Sequence, residues 1–117
     1  MNKRTEGTEY ESHAAEYLAA NGIRILERNF RCKTGEIDII GTDGRYLIFF
    51  EVKYRSGESY GTALEAVDRR KMRQICRTAD YYRIRNHTDQ NTFIRFDVVA
   101  IQKDRIDWIR DAFPYQY

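Results

Sequence analysis

The sequence predicts a single α/β domain built on a mixed β-sheet, flanked by an N-terminal helix and a long second helix. Three observations predict it. The chain has 117 residues, the size of one domain. Its patterning runs helix, strands, helix, strands, the order of an α/β unit. Its most apolar run, Tyr46-Leu47-Ile48-Phe49-Phe50, reads as a buried strand.

Thr8 to Asn21 reads as a helix that stops at Gly22, a residue suited to the position just past a helix end. Tyr10, Ala14, Tyr17 and Leu18 form its apolar stripe, and Glu11 lies in line with Ala14, Ala15 and Leu18. A glutamate there is either a stripe-edge residue that reaches solvent or part of a site beneath the helix. Ile23 to Phe30 reads as extended. After Gly35, Glu36-Ile37-Asp38-Ile39-Ile40 alternates acid with apolar residues and reads as a strand. Asp43-Gly44 between two apolar runs is a strong hairpin signal, with the partner strand at Tyr46 to Lys53. Arg55 to Thr62 is a polar loop with two glycines, and Leu64 to Arg85 a long amphipathic helix whose stripe is Leu64, Val67, Ile75, Ala79 and Tyr82. Asn86 to Asn91 is a loop, Phe93 to Ile101 a strand, Lys103-Asp104-Arg105 a turn, and Ile106 to Arg110 a last short strand.

Glu51-Val52-Lys53 carries the clearest chemical signal. Residues i and i+2 of a strand share a face, so a carboxylate and an ammonium project side by side from the end of a buried strand. Charges buried there must be paired or hold a metal. A two-residue Asp43-Gly44 turn pairs Thr42 with Arg45. Asp38 then lies opposite Phe49, with Glu51 a diagonal step away on the same face, about 7–8 Å at the backbone. Two carboxylates supply hard oxygen ligands of the kind Mg²⁺ takes, and Lys53 can orient a water or stabilise developing negative charge. Read from the residues alone, Asp38, Glu51 and Lys53 with Glu11 are either a metal-dependent phosphodiesterase site or a structural salt-bridge network. Glu36 shares the face of Asp38 but starts its strand, where solvation is the plainer reading. Asp97 interrupts an apolar run and reads as a hydrogen-bonded structural residue. His13 and His87 show no ligand partners.

Composition excludes other classes. No segment has the ~18 apolar residues a membrane span needs. The polar start Met1 to Glu6 precedes no apolar stretch, so no secretory leader is expected and a cytoplasmic location follows. Cys32 and Cys76 have neither zinc-site nor disulfide-framework spacing and are read as reduced thiols. Net charge is only +2, but 15 of the 20 basic residues are Arg, and Arg69 to Arg85 holds seven basic residues against one acid, Asp80. Guanidinium groups suit bidentate phosphate contact, so a basic face is expected despite the near-neutral total.

Asp38 followed by Glu51-Val52-Lys53 resembles the PD-(D/E)XK superfamily of restriction-endonuclease-like and Holliday-junction-resolvase-like nucleases. The chain is more narrowly similar to the YraN-like family of small bacterial proteins. The matching stretches run from Gly7 and Glu11 through Arg28-Asn29-Phe30-Arg31, Gly35 to Ile40, Phe50 to Arg55, Gly61 to Val67, Lys71 and Arg95 to Val99, ending at Asp111-Ala112-Phe113. The resemblance implies a restriction-endonuclease-like three-layer core. It implies Asp38 and Glu51 as ligands of Mg²⁺ or Mn²⁺, Lys53 as the catalytic lysine, and Glu11 as the helix glutamate, a further catalytic residue or ligand. The expected activity is hydrolysis of DNA, with branched, structured or single-stranded forms as candidate substrates. The alternative is a binding protein of the same fold, without turnover, within a DNA-processing assembly. Arg55, Tyr60, Arg69, Arg70, Lys71 and Arg73 are the expected backbone contacts, which position the substrate without reading bases. Resolvases of this type work as symmetric dimers, so a homodimer is compatible.

Overall fold

The computed structural model describes residues 3–55, 67–103 and 105–117. They form α1 (Lys3–Ala20), β1 (Arg24–Cys32), β2 (Gly35–Thr42), β3 (Tyr46–Arg55), α2 (Arg69–Arg85), β4 (Phe93–Gln102) and β5 (Arg105–Ile109). The strands make one sheet in the order β1-β2-β3-β4-β5. Only β3 and β4 are parallel, so the sheet is mixed, and α2 lies in the long connection that parallel neighbours require. Tyr60 and Leu64 lie outside the described residues.

Alternation along the strands divides the core in two. Leu47, Phe49, Phe96 and Val98 join Ile75, Cys76, Ala79 and Tyr82 of α2 on one face. Ile48, Phe50, Val99 and Ile101 join Ala14, Ala15 and Leu18 of α1 on the other. β3 and β4 are therefore apolar on both faces, as a central parallel pair must be. The result is the expected helix–sheet–helix sandwich.

α1 ends where its sequence directs. Gly22 has φ +94°, Ile23 N–H donates to Leu18 O at 3.0 Å and Gly22 N–H to Ala19 O at 3.4 Å. This is a Schellman closure, and Ile23 and Leu18 both join the core beneath it.

α1 begins at Lys3, five residues before the expected Thr8, and two further expectations need correction. The first is the hairpin register. Thr42 pairs with Leu47 and Ile39 with Phe50, two residues further along than a two-residue turn gives. Asp43 Oδ1 accepts from both Arg45 N at 2.9 Å and Tyr46 N at 2.8 Å, while Thr42 Oγ1 accepts from Gly44 N at 3.0 Å and donates to Tyr46 O at 2.8 Å. These side-chain bonds close a longer connection than Asp-Gly suggests. A shift of two keeps every side chain on its face. It places Asp38 opposite Glu51 rather than Phe49. The second is the start of the long helix. Val67 and Asp68 are not helical, and α2 begins at Arg69. Asp68 is extended and its carboxylate accepts the Lys71 N–H at 2.8 Å, an N-cap. Val67 is buried all the same, so it continued the helical spacing without being helical.

Asp97 takes the expected structural part. It is fully buried and accepts from Arg95 Nε (2.9 Å) and Nη2 (3.0 Å), Trp108 Nε1 (2.9 Å) and Asp111 N (2.9 Å). It thereby ties β4 to β5 and to the segment that follows. Beyond that segment, Tyr115 donates to Asp80 Oδ2 at 2.5 Å and accepts from Arg77 at 2.6 Å, holding the C-terminal residues on α2. Asp97→Ala leaves an indole N–H and a backbone N–H unpaired and the Arg95 guanidinium with only the 3.5 Å contact to Asp43. It is expected to lower the unfolding free energy by about 3–5 kcal/mol in urea titration.

Candidate functional site

β3 carries the site by outrunning β2. The β2–β3 ladder ends at Ile39↔Phe50, whereas the β3–β4 ladder continues through Glu51, Val52 and Lys53 to Arg55↔Gln102. Asp38 and Glu51 stand where the two strands part. The Val52 N–H, which no β2 carbonyl takes in the ladder, donates instead to Asp38 Oδ2 at 2.8 Å. That bond holds the aspartate in the fork.

Glu51 is buried, only 7% exposed. Burial first, then repulsion from the Asp38 carboxylate, push its carboxyl from 4.5 up to about 8. A hydrogen bond to Asp38, made by protonated Glu51, adds to the rise. Lys71 and Lys53 pull the other way without cancelling it. Lys71 Nζ stands 3.8 Å from Glu51 Oε2, beyond hydrogen-bond reach, so its attraction is Coulombic alone. Lys71, expected on the DNA backbone, therefore also belongs to the carboxylate cluster.

Glu11 is half-buried on α1. Burial, Asp38 and Glu36, in that order, raise it to about 7, against the pull of Arg28 and Arg31. It reaches the site as a charge felt by Asp38. Among the described residues, no three His, Cys, Asp or Glu side chains converge closely enough to hold a cation by themselves.

Asn29 was not singled out for a site role. It lies between Arg28↔Ile39 and Phe30↔Ile37, opposite Asp38, with φ +55°. A left-handed asparagine within a strand is uncommon and gathers at functional sites. With its amide oriented to satisfy both neighbours, its nitrogen donates to Glu11 Oε1 at 2.5 Å and Glu36 Oε1 at 3.2 Å. Arg28 donates to Ser12 on α1 at 3.1 Å, and Arg31 pairs with Glu36 at 3.4 Å. The segment 28–31 thus fastens α1 to β2 beside Asp38.

Of the expected DNA contacts, Arg69, Arg70 and Arg73 are exposed on α2. Arg55 ends β3, and Tyr60 lies outside the described residues. No helix among the described residues is long and apolar enough to cross a membrane.

The raised carboxyls set the pH dependence of stability. For Glu51 the folded state binds more protons than the unfolded one between pH 4.5 and about 8, so stability falls as pH rises through that window. Glu11 acts in the same sense between 4.5 and about 7. Glu51→Gln removes the larger penalty. In EDTA it is expected to stabilise the protein by about 2 kcal/mol at alkaline pH, with little gain near pH 4.5, read by urea unfolding across the range.

The profile of the uncharacterised protein family UPF0102 matches residues 10–101. A UPF0102 protein of Lachnoclostridium phytofermentans is 46% identical over 113 residues, covering 97% of this chain and 96% of the relative. One of Methylococcus capsulatus is 44% identical over 114 residues, covering 94% and 91%. One of Fusobacterium nucleatum is 45% identical over 111 residues, covering 95% and 92%. On a match of this extent and coverage, the chain belongs to the family UPF0102, the YraN-like proteins that its motifs resemble.

Proposed function

We propose that this protein is a divalent-metal-dependent endonuclease of the PD-(D/E)XK type, hydrolysing phosphodiester bonds in DNA. One observation carries the reading: Asp38 and Glu51 are brought within hydrogen-bonding range at a strand fork, with Lys53 two residues along the same strand. A structural network would balance its charges. This cluster instead crowds carboxyls until burial and mutual repulsion hold one of them protonated near neutrality.

The donor set fits Mg²⁺ or Mn²⁺. Both are hard ions often held by one or two carboxylates, with water and substrate phosphate completing the shell. A cation bound there supplies Lewis-acid neutralisation of phosphate charge and acidifies water. The protein's own groups do the rest. The Val52 N–H fixes the Asp38 carboxylate in place. Lys53 is positioned to orient a nucleophilic water or to meet charge developing on the phosphate. Glu11, clamped by Asn29, adds a carboxylate on the α1 side. Lys71 offsets the charge of Glu51, and Arg69, Arg70 and Arg73 offer guanidinium groups to the backbone from the start of α2. Contacts of that kind recognise shape rather than sequence, which suits branched or single-stranded DNA.

A non-catalytic DNA-binding role is favoured by one observation, the lack of three converging ligands among the described residues.

Incubation with duplex, single-stranded, flap and four-way-junction DNA in Mg²⁺ or Mn²⁺ separates the two. Cleavage is expected on at least one substrate, falling at least about 100-fold in Asp38→Ala and in Lys53→Ala. Salt-sensitive binding without cleavage on any substrate rejects the nuclease in favour of the binder.

A further inference from the structure

At the other end of β3, about 17 Å from Glu51 by five strand steps, lies a cavity of about 530 Å³. It opens between the β2–β3 connection, the end of α2 and the start of β4. Two guanidinium-bearing residues, Arg24 and Arg45, line it, and no Asp or Glu does. Neither arginine has an ion-pair partner among the described residues. The nearest carboxylate of the connection, Asp43, is engaged by two backbone N–H groups and by Arg95 at 3.5 Å. The cavity is thus selectively cationic.

It also offers ring faces. Phe93 is 57% exposed at the first position of β4, and its ring lies 5.8 Å from that of Tyr46. The Arg45 guanidinium stands 5.5 Å from the Phe93 centroid and 5.6 Å from that of Tyr46. Asn91 and Thr92 add amide and hydroxyl groups to the wall. A cavity of this size with aromatic walls and a few convergent polar groups has the make-up expected of a ligand site. An exposed ring beside unpaired guanidiniums matches a ligand that is both planar and anionic. A purely apolar partner would leave the arginines desolvated without partners. A bare anion would leave the ring unused.

We propose that this cavity binds a nucleotide unit, with its base stacked on Phe93 and its phosphate held by Arg24 and Arg45. A free nucleoside monophosphate and the terminal nucleotide of a single strand present the same chemistry. The site stands independently of metal-dependent cleavage, because neither Asp38 nor Glu51 takes part.

The test is a ¹H–¹⁵N titration of the labelled protein in EDTA, with AMP, adenosine, inorganic phosphate and a 5′-phosphorylated single-stranded hexanucleotide as separate arms. Saturable shifts are expected at the amides of Arg45, Asn91 and Phe93, with adenosine and phosphate each at least about tenfold weaker than AMP or the hexanucleotide. Phe93→Ala is expected to weaken binding by roughly tenfold through lost stacking. Arg45→Gln should weaken AMP but not adenosine. Both positions are exposed, and the spectrum itself reports whether each variant is folded. Tighter binding of the hexanucleotide identifies a strand end as the source, and binding of AMP alone identifies a free nucleotide. No saturable shift below about 10 mM with either, equal binding of inorganic phosphate, or unchanged affinity in both variants overturns the proposal.

Discussion

The Asp38 carboxylate takes the Val52 N–H at 2.8 Å, just where the backbone ladder between β2 and β3 has ended. Much of the molecule is arranged around that parting. On the β4 side, β3 stays paired for ten residues and so cannot follow β2. On the β1 side, β2 stays paired from Gly35 to Thr42 and cannot follow β3. The fork is the gap between two well-anchored hairpin arms, and a side chain rather than a carbonyl bridges it. A carboxylate in that place has one oxygen committed to the backbone, which leaves the other for chemistry.

The fork concentrates negative charge that the fold does not neutralise. Glu51 is buried against Asp38, and Glu11 and Glu36 approach from α1 and from the start of β2. Lysines 53 and 71 and arginines 28 and 31 ring the cluster, yet both Glu11 and Glu51 remain well above ordinary glutamates. Buried ionic networks retained for structure have their partners in contact, as Asp97 does with Arg95, Trp108 and Asp111. The same protein thus contains one buried carboxylate in direct contact with its cation and one carboxyl pair whose cation, Lys71, stands 3.8 Å away. That contrast, more than the presence of acidic residues, supports reading the fork as a place for a cation.

Much of this was legible in the residues. The apolar run of β3, the alternation in β2 and the Gly22 stop each rest on local rules, and each element formed where those rules point. The candidate residues Asp38, Glu51 and Lys53 could be placed on one face because strand parity survives a two-residue change in register. The register itself was not legible, since it depends on the Asp43 and Thr42 side chains closing a longer connection than Asp-Gly alone suggests. The start of α2 was misplaced because Val67 keeps helical spacing while Asp68 caps the helix. Asn29 was missed for a deeper reason. Its φ of +55° and its two carboxylate partners are products of tertiary packing between α1 and the sheet, which no one-dimensional pattern encodes.

We propose that Asp38 and Glu51 together hold a divalent cation. Calorimetric titration of Mn²⁺ into the parent protein, Asp38→Asn and Glu51→Gln tests it most directly, without requiring a DNA substrate. One saturable site is expected in the parent, tightening as the solution is taken from about pH 6 to about pH 8 because the ion must displace a proton, and lost in both variants. Absence of binding by the parent, or equal affinity in Glu51→Gln, would contradict it.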